Sequence, residues 1–148
     1  MSSETKMTGQ EKADAIHEYE CQCNGSDEFF RHWIGALIFT SGVEFLVKTC
    51  GAMWLVDLVA SHQPAIRRKL GKMGRRDFQV WRIIRSPKFE RGCIVECWSD
   101  TPGAEVSEDG PASVLLARQE VEYTDFPAEL FGYQWWVEEG TMLLKGER

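Results

Sequence analysis

Nowhere in this chain of 148 residues do apolar side chains run for the roughly 20 consecutive positions that a membrane-spanning helix needs. The opening Met1-Ser2-Ser3-Glu4-Thr5-Lys6 lacks the charged-then-apolar order of a secretory signal. A cytoplasmic protein with no membrane association is the expectation. Internal repeats and low-complexity tracts are missing too, which excludes a solenoid or a disordered tether. Cysteines number five, at 21, 23, 50, 93 and 97. An odd set without a signal peptide argues against a disulfide framework and for reduced thiols.

Metal and cofactor signatures are equally sparse, so neither a metal nor a cofactor is expected. Cys21-x-Cys23 and Cys93-x-x-x-Cys97 both depart from the two-residue knuckle of zinc sites. Along a strand Cys93 and Cys97 would share a face but stand about 13 Å apart. A nucleophile arrangement of Cys50, Asp57 and His62 fares no better. Cys50 and His62 would lie about 18 Å apart along a continuous helix, and Cys50 falls on an apolar stripe that suits an inert buried thiol. No catalytic residue is assigned. An enzyme, such as a small hydrolase, would need one cleft that gathers His32, Asp57 and His62.

What the chain does have is ordinary globular content: 43% apolar residues, 27% charged, six Trp and eight Phe. That suffices for one core in a chain of this length. The net charge of −6 is unevenly distributed. Residues 1–61 carry −5, residues 62–92 carry +8 and residues 93–148 carry −9. A basic segment between two acidic ones points to a surface that acts through its charge.

Periodicity divides the chain into a helical first half and a strand-rich second half. Thr8 followed by Glu11 reads as a capping box for a short helix over 10–20, with Ala13, Ile16 and Tyr19 on one stripe and Gly25 beyond its end. A short strand over 36–39 leads into the capping side chains of Thr40-Ser41-Gly42. Val43, Leu46, Val47 and Cys50 then fall at helical spacing, with Gly51 as a stop. Trp54, Leu55, Leu58 and Val59 begin a further run. Pro64 would start a new helical turn, and 67–76, with Gly71 and Gly74, reads as an exposed loop or frayed helix end. Strands follow over 78–85, 93–98, 114–123, 133–137 and 141–145, with an acidic loop at 100–111 and a hairpin at Glu138-Glu139-Gly140. The expectation is an α+β fold, with N-terminal helices packed on one face of a four- or five-stranded antiparallel sheet. Residues 1–27 would form an N-terminal arm with a short helix, and 28–148 a single domain.

Five pieces occur in order over about four fifths of the chain: Phe30-Arg31-His32-Trp33, Thr40-Ser41-Gly42-Val43, Trp54-Leu55-Val56-Asp57, Phe78-Gln79-Val80-Trp81 and Tyr123-Thr124-Asp125-Phe126-Pro127. In this set the chain resembles a family of small bacterial and bacteriophage proteins known only as a domain of unknown function. It departs from the family at Phe30, where Tyr is common, and at Ser41, where Asp is common. The resemblance implies no reaction. The family's occurrence in phages and mobile elements implies a role in host–parasite conflict.

Three sets of residues are candidates. Trp135, Trp136, Glu138 and Glu139 would bind a protein partner, since adjacent tryptophans on a strand point to opposite faces and one would anchor an interface. Arg67, Arg68, Lys69, Lys72, Arg75 and Arg76 would contact nucleic acid in an alternative reading. Arg31, His32, Asp57 and Asp125 would form a structural polar cluster, because an acid inside the apolar run 53–59 needs a partner. The expectation is therefore a non-enzymatic interaction protein that binds and modulates a host protein, a nucleic-acid-binding one among the candidates, as a defence inhibitor of the anti-CRISPR type would. Oligomeric state stays open.

Overall fold

The computed structural model describes residues 7–22, 28–32, 37–101, 106–107, 110–111 and 113–147. Cys23, Gly25, Trp33 and most of the acidic loop lie outside the described residues.

Helix α1 spans Gly9–Gln22. Its start is the reciprocal capping box: the Glu11 amide donates to Thr8 Oγ1 (3.1 Å) and the Thr8 amide to Glu11 Oε1 (3.0 Å). Ala13 and Ile16 are buried and Tyr19 stacks on Phe45 at 4.6 Å. The helix is thus built into the same core as the rest, not held out as an arm.

Strand β1 (Phe29–Arg31) and strand β2 (Ile38–Thr40) pair antiparallel. Thr40 then caps α2 (Ser41–Thr49), accepting from the Val43 amide at 3.2 Å. Gly51, at φ 63°, closes the link to α3 (Trp54–Lys72). This helix passes through Pro64 without stopping, contrary to the break expected there. An interior proline costs about 3 kcal/mol. Beyond it Ile66 and Leu70 are buried, each contributing roughly 1.5–3 kcal/mol, so core contacts carry the helix on. Residues 67–72 are accordingly helical, not looped.

The strand-rich half supplies β3 (Phe78–Arg85), β4 (Cys93–Trp98), the small β5–β6 pair (Val106–Ser107 and Gly110–Pro111), β7 (Leu115–Val121), β8 (Gln134–Glu138) and β9 (Thr141–Leu144). A 3-10 turn at Ala128–Leu130 precedes β8, and another at Lys145–Glu147 follows β9. Glu139 and Gly140 both have positive φ, the backbone a two-residue hairpin requires.

The sheet has seven strands in the order β1-β2-β9-β8-β3-β4-β7. It is mixed, not four- or five-stranded antiparallel, because β2 runs parallel to β9. Three-residue strands such as β1 and β2 are too short to display alternation. Their place is decided by the pairing of β2 with β9, a hundred residues on in the chain, to which β1 is added as the edge strand.

The three helices cover one sheet face. Trp81, Ile83, Val95, Cys97, Trp135, Val137, Met142 and Leu144 join the helical residues in a single core, with Trp81 and Trp135 stacked at 6.3 Å. The opposite face lies apart from that core. Register aligns Leu115, Trp98, Val80, Trp136 and Leu143 in one transverse row there, and Arg118, Glu96, Arg82 and Gln134 in the next.

The C-terminal turn is latched inside. Glu147, 6% exposed, accepts from Thr40 Oγ1 (2.6 Å) and from the amides of Gly42 (3.1 Å) and Leu144 (2.9 Å). A Cβ on Gly42 would come within 2.4 Å of that carboxylate. The Thr40-Ser41-Gly42-Val43 piece thus combines a helix cap with the space for this acid.

Candidate functional site

A cleft of about 480 Å³ lies between the first half of α3 and the far end of β7. It is lined by Trp54, Asp57, Leu58, Ser61, Gln119, Val121 and Tyr123. Residues one helical turn apart share a helix face, so Trp54, Asp57, Leu58 and Ser61 form one wall. Alternation on β7 sends Gln119 and Val121 to the same side, and Tyr123 extends that wall beyond the strand.

Asp57 carries the only formal charge among these lining residues. It sits in the first turn of α3, where a carboxylate is favoured by the helix dipole. His32, which follows β1, donates from Nε2 to Asp57 Oδ1 at 2.6 Å. The two environments differ sharply: the His32 side chain is 4% exposed and that of Asp57 62%. The buried imidazole therefore orients an acid that stays open to solvent.

Tyr123 is 58% exposed and donates its hydroxyl to Asp125 Oδ1 at 3.0 Å. The segment behind it is held firmly. Thr124 N–H donates to the Arg91 carbonyl, the Phe126 amide to Thr124 Oγ1, and the buried Phe126 ring stacks on Phe131. On the other side, His62 Nε2 donates to Gln119 Oε1 at 2.8 Å.

The expected polar cluster resolves into two pairs at this cleft, His32–Asp57 and Tyr123–Asp125. Arg31 ends β1 and is exposed. Of the three residues an enzyme would need, His32 and Asp57 are paired, and His62 is bonded to Gln119, which lines the same cleft as Asp57. His32 is shut away behind Asp57, and His62 is turned to Gln119. Ser61 donates its hydroxyl to the Leu58 carbonyl, and among the described residues no imidazole is bonded to it. Cys50 is 1% exposed, and burial pushes its thiol from 9.0 to about 11, against a smaller opposing pull from Lys12. Cys93 rises likewise to about 11 and Cys97 well above the ordinary value, both through burial. These thiols are held in their unreactive form.

The tryptophan pair divides between the faces. Trp135 is fully buried in the helix-covered core, so it offers no surface to a partner, a correction to its expected part in an interface. Trp136 lies half-buried on the opposite face, edge-on to Phe78 at 5.6 Å and with Lys145 Nζ 6.0 Å over its ring. Glu138 faces Arg76 at 4.0 Å, and Glu139 occupies the positive-φ turn.

The basic segment is largely committed to the protein's own acceptors. Arg67 pairs with Asp77 (3.4 Å), Lys69 donates to the Leu116 carbonyl (2.8 Å), Arg75 to Ser99 Oγ (2.8 Å), and Arg76 lies 5.0 Å over the Phe78 ring. Arg68 and Lys72 project as exposed side chains at the end of α3.

Sequence reasoning missed Ser61 and Gln119. Ser61 stands between Ala60 and His62 and Gln119 between Arg118 and Glu120, so neither stands out in the sequence, and only the packing of α3 along β7 makes them neighbours. It also missed the amide lock beneath α3. Gln63 and Gln79, both fully buried, exchange two hydrogen bonds of 2.9 Å, and Trp81 Nε1 donates to the same Gln79 oxygen. An amide inside the Phe78-Gln79-Val80-Trp81 strand was the available signal.

A family model described as "Family of unknown function (DUF6876)" matches residues 16–148. No curated protein and no solved structure matches the chain.

Proposed function

The chain belongs to this family of unknown function, DUF6876, and from that premise we propose that it is an interaction protein that binds a host protein through the cleft between α3 and β7. One observation carries the reading. Three pieces far apart in sequence meet at one cleft: His32 is hydrogen-bonded to Asp57 on one wall, and Tyr123, bonded to Asp125 within its own turn, stands on the other. The groups left facing solvent are a carboxylate, a hydroxyl, an amide and two aromatic rings, a set suited to recognition. The resemblance to phage and mobile-element proteins supports a host target and a role in modulating it, as a defence inhibitor does. The engagement of Arg67, Lys69, Arg75 and Arg76 by internal acceptors leaves the nucleic-acid reading with less support.

A photo-crosslinking residue placed at Tyr123 in host cells tests the proposal. It should give a discrete adduct with one protein, while the same residue at Leu143, on the open sheet face, gives none. A smear without a discrete adduct from Tyr123, or the same adduct from both positions, removes the cleft as the interface.

A further inference from the structure

We propose that the cleft is a receptor for a cationic side chain, an arginine or lysine presented by a basic segment of the partner. The inference rests on the binding reading above and names the chemistry of what is bound.

The lining supports it from three sides. Among the described lining residues Asp57 is the only charged one, and no lysine or arginine stands beside it. Its Oδ1 is taken by His32, and among the described residues nothing is bonded to Oδ2. One carboxylate oxygen is therefore fixed and the other is free to accept a charge-assisted hydrogen bond, which is short and strong compared with a neutral one.

Two aromatic rings, Trp54 and Tyr123, line the same cleft on opposite walls. Ring faces attract cations through their quadrupole, Trp most of all. The Tyr123 hydroxyl donates to Asp125, which moves electron density into the ring and places a second carboxylate directly behind it. A carboxylate and two rings lining one cleft is the arrangement that selects a guanidinium or ammonium over a neutral or anionic group. Apolar Leu58 and Val121 complete the lining and suit the methylene stem of Arg or Lys. Ser61 and Gln119 offer further oxygen acceptors to the N–H groups at its tip.

The partner's charge is indicated independently by the chain. Residues 93–148, which supply the β7 wall and Tyr123, carry −9. The cationic residues of α3 begin only at Arg67, beyond the cleft. A basic segment would be steered to this side.

The test is an NMR titration of the full chain with three peptides of equal length, alternating glycine with arginine, lysine or glutamate, and with tetramethylammonium chloride. The arginine or lysine peptide, or both, should shift the Trp54 indole N–H and the Tyr123 ring signals, and binding should weaken as salt is raised. Asp57→Asn, which keeps an oxygen for His32, should lower affinity by roughly tenfold or more. Ser61→Lys places a cation one helical turn from Asp57, where the pair favours the helix. It should abolish binding in a protein that remains folded by circular dichroism. Binding of the glutamate peptide at the same signals, no response to either basic peptide, or undiminished affinity in both variants would overturn the proposal. Equal affinity for tetramethylammonium, with nothing gained from a peptide, would overturn the assignment to a partner's side chain. A discrete crosslink from Tyr123 to a partner whose contacting segment is acidic would keep the interaction reading and sink this one.

Discussion

A buried carboxylate near the C-terminus, Glu147, closes against a glycine in the first third of the chain, Gly42. Glu147 satisfies the Thr40 hydroxyl and two backbone amides at once. Removing it strands buried donors, each costing about 1–3 kcal/mol. Glu147→Ala is therefore expected to destabilise by about 2–4 kcal/mol in urea unfolding. Gly42→Ala should approach the same loss, since a methyl there collides with the carboxylate. If Gly42→Ala unfolds at the wild-type urea midpoint, the latch is not structural. The tryptophan pair gives a second contrast. Trp135→Ala empties a site in the core and should cost about 3–5 kcal/mol, while Trp136→Ala, half-buried on the other face, should cost clearly less. Equal losses would contradict the division between the faces.

At the scale of the element, α1 was legible in its start and its buried stripe: expected over 10–20, it spans Gly9–Gln22. The spacing of Thr8 and Glu11 specifies a local device that needs no distant partner, and both of its hydrogen bonds are present. The Thr8 amide first, and the Thr8 side chain next, hold the Glu11 carboxyl below its ordinary 4.5. A depressed pKa in the folded state means that the contribution is complete above that ordinary value and is lost as pH falls through the lowered one. Acid titration should fray the first turn of α1 first, seen as loss of helical carbon shifts at residues 9–12. Uniform loss along α1 would show that the box does not set the order. Helix α3 was legible only to Pro64, because a proline, followed by Gly71 and Gly74, reads as a break, and the burial of Ile66 and Leu70 is what carries the helix past it. Arg67, Arg68, Lys69 and Lys72 lay on that hidden remainder and Arg75 and Arg76 just beyond it, which is why the partners Asp77, Ser99 and Glu138 could not be read from spacing.

At the scale of the whole molecule, three buried thiols tie stability to alkaline pH. Cys50 and Cys93 titrate near 11 when folded and near 9.0 otherwise. A raised folded value gives stability that is present below 9.0 and lost as pH rises toward 11. The urea midpoint should fall across that window, and Cys50→Ala with Cys93→Ala should flatten the fall even though both lower the plateau. An unchanged slope would remove the thiols as its cause. At pH 8 an alkylating reagent should label exposed Cys21 and spare Cys50, Cys93 and Cys97 until denaturant is added. The sheet makes a further demand. Strand β9 is the only link from β2 to β8 in the strand order. A chain ending at Gly140 should fail to fold cooperatively by circular dichroism melting, and not merely lose a strand.

What the amino-acid sequence determined by itself is what depends on near neighbours: the capping box, the Gly51 stop, the strands over 78–85 and 93–98, the tight hairpin at Glu139-Gly140, and inert thiols on apolar stripes. Periodicity and turn chemistry act within a few residues, so they can be read along the chain. The parallel β2–β9 pairing, the run of α3 through Pro64, the burial of Trp135 in place of Trp136, and the meeting of His32, Asp57 and Tyr123 were decided only in three dimensions. Each depends on groups tens of residues apart coming within a few ångströms, and that proximity exists only once the core has closed.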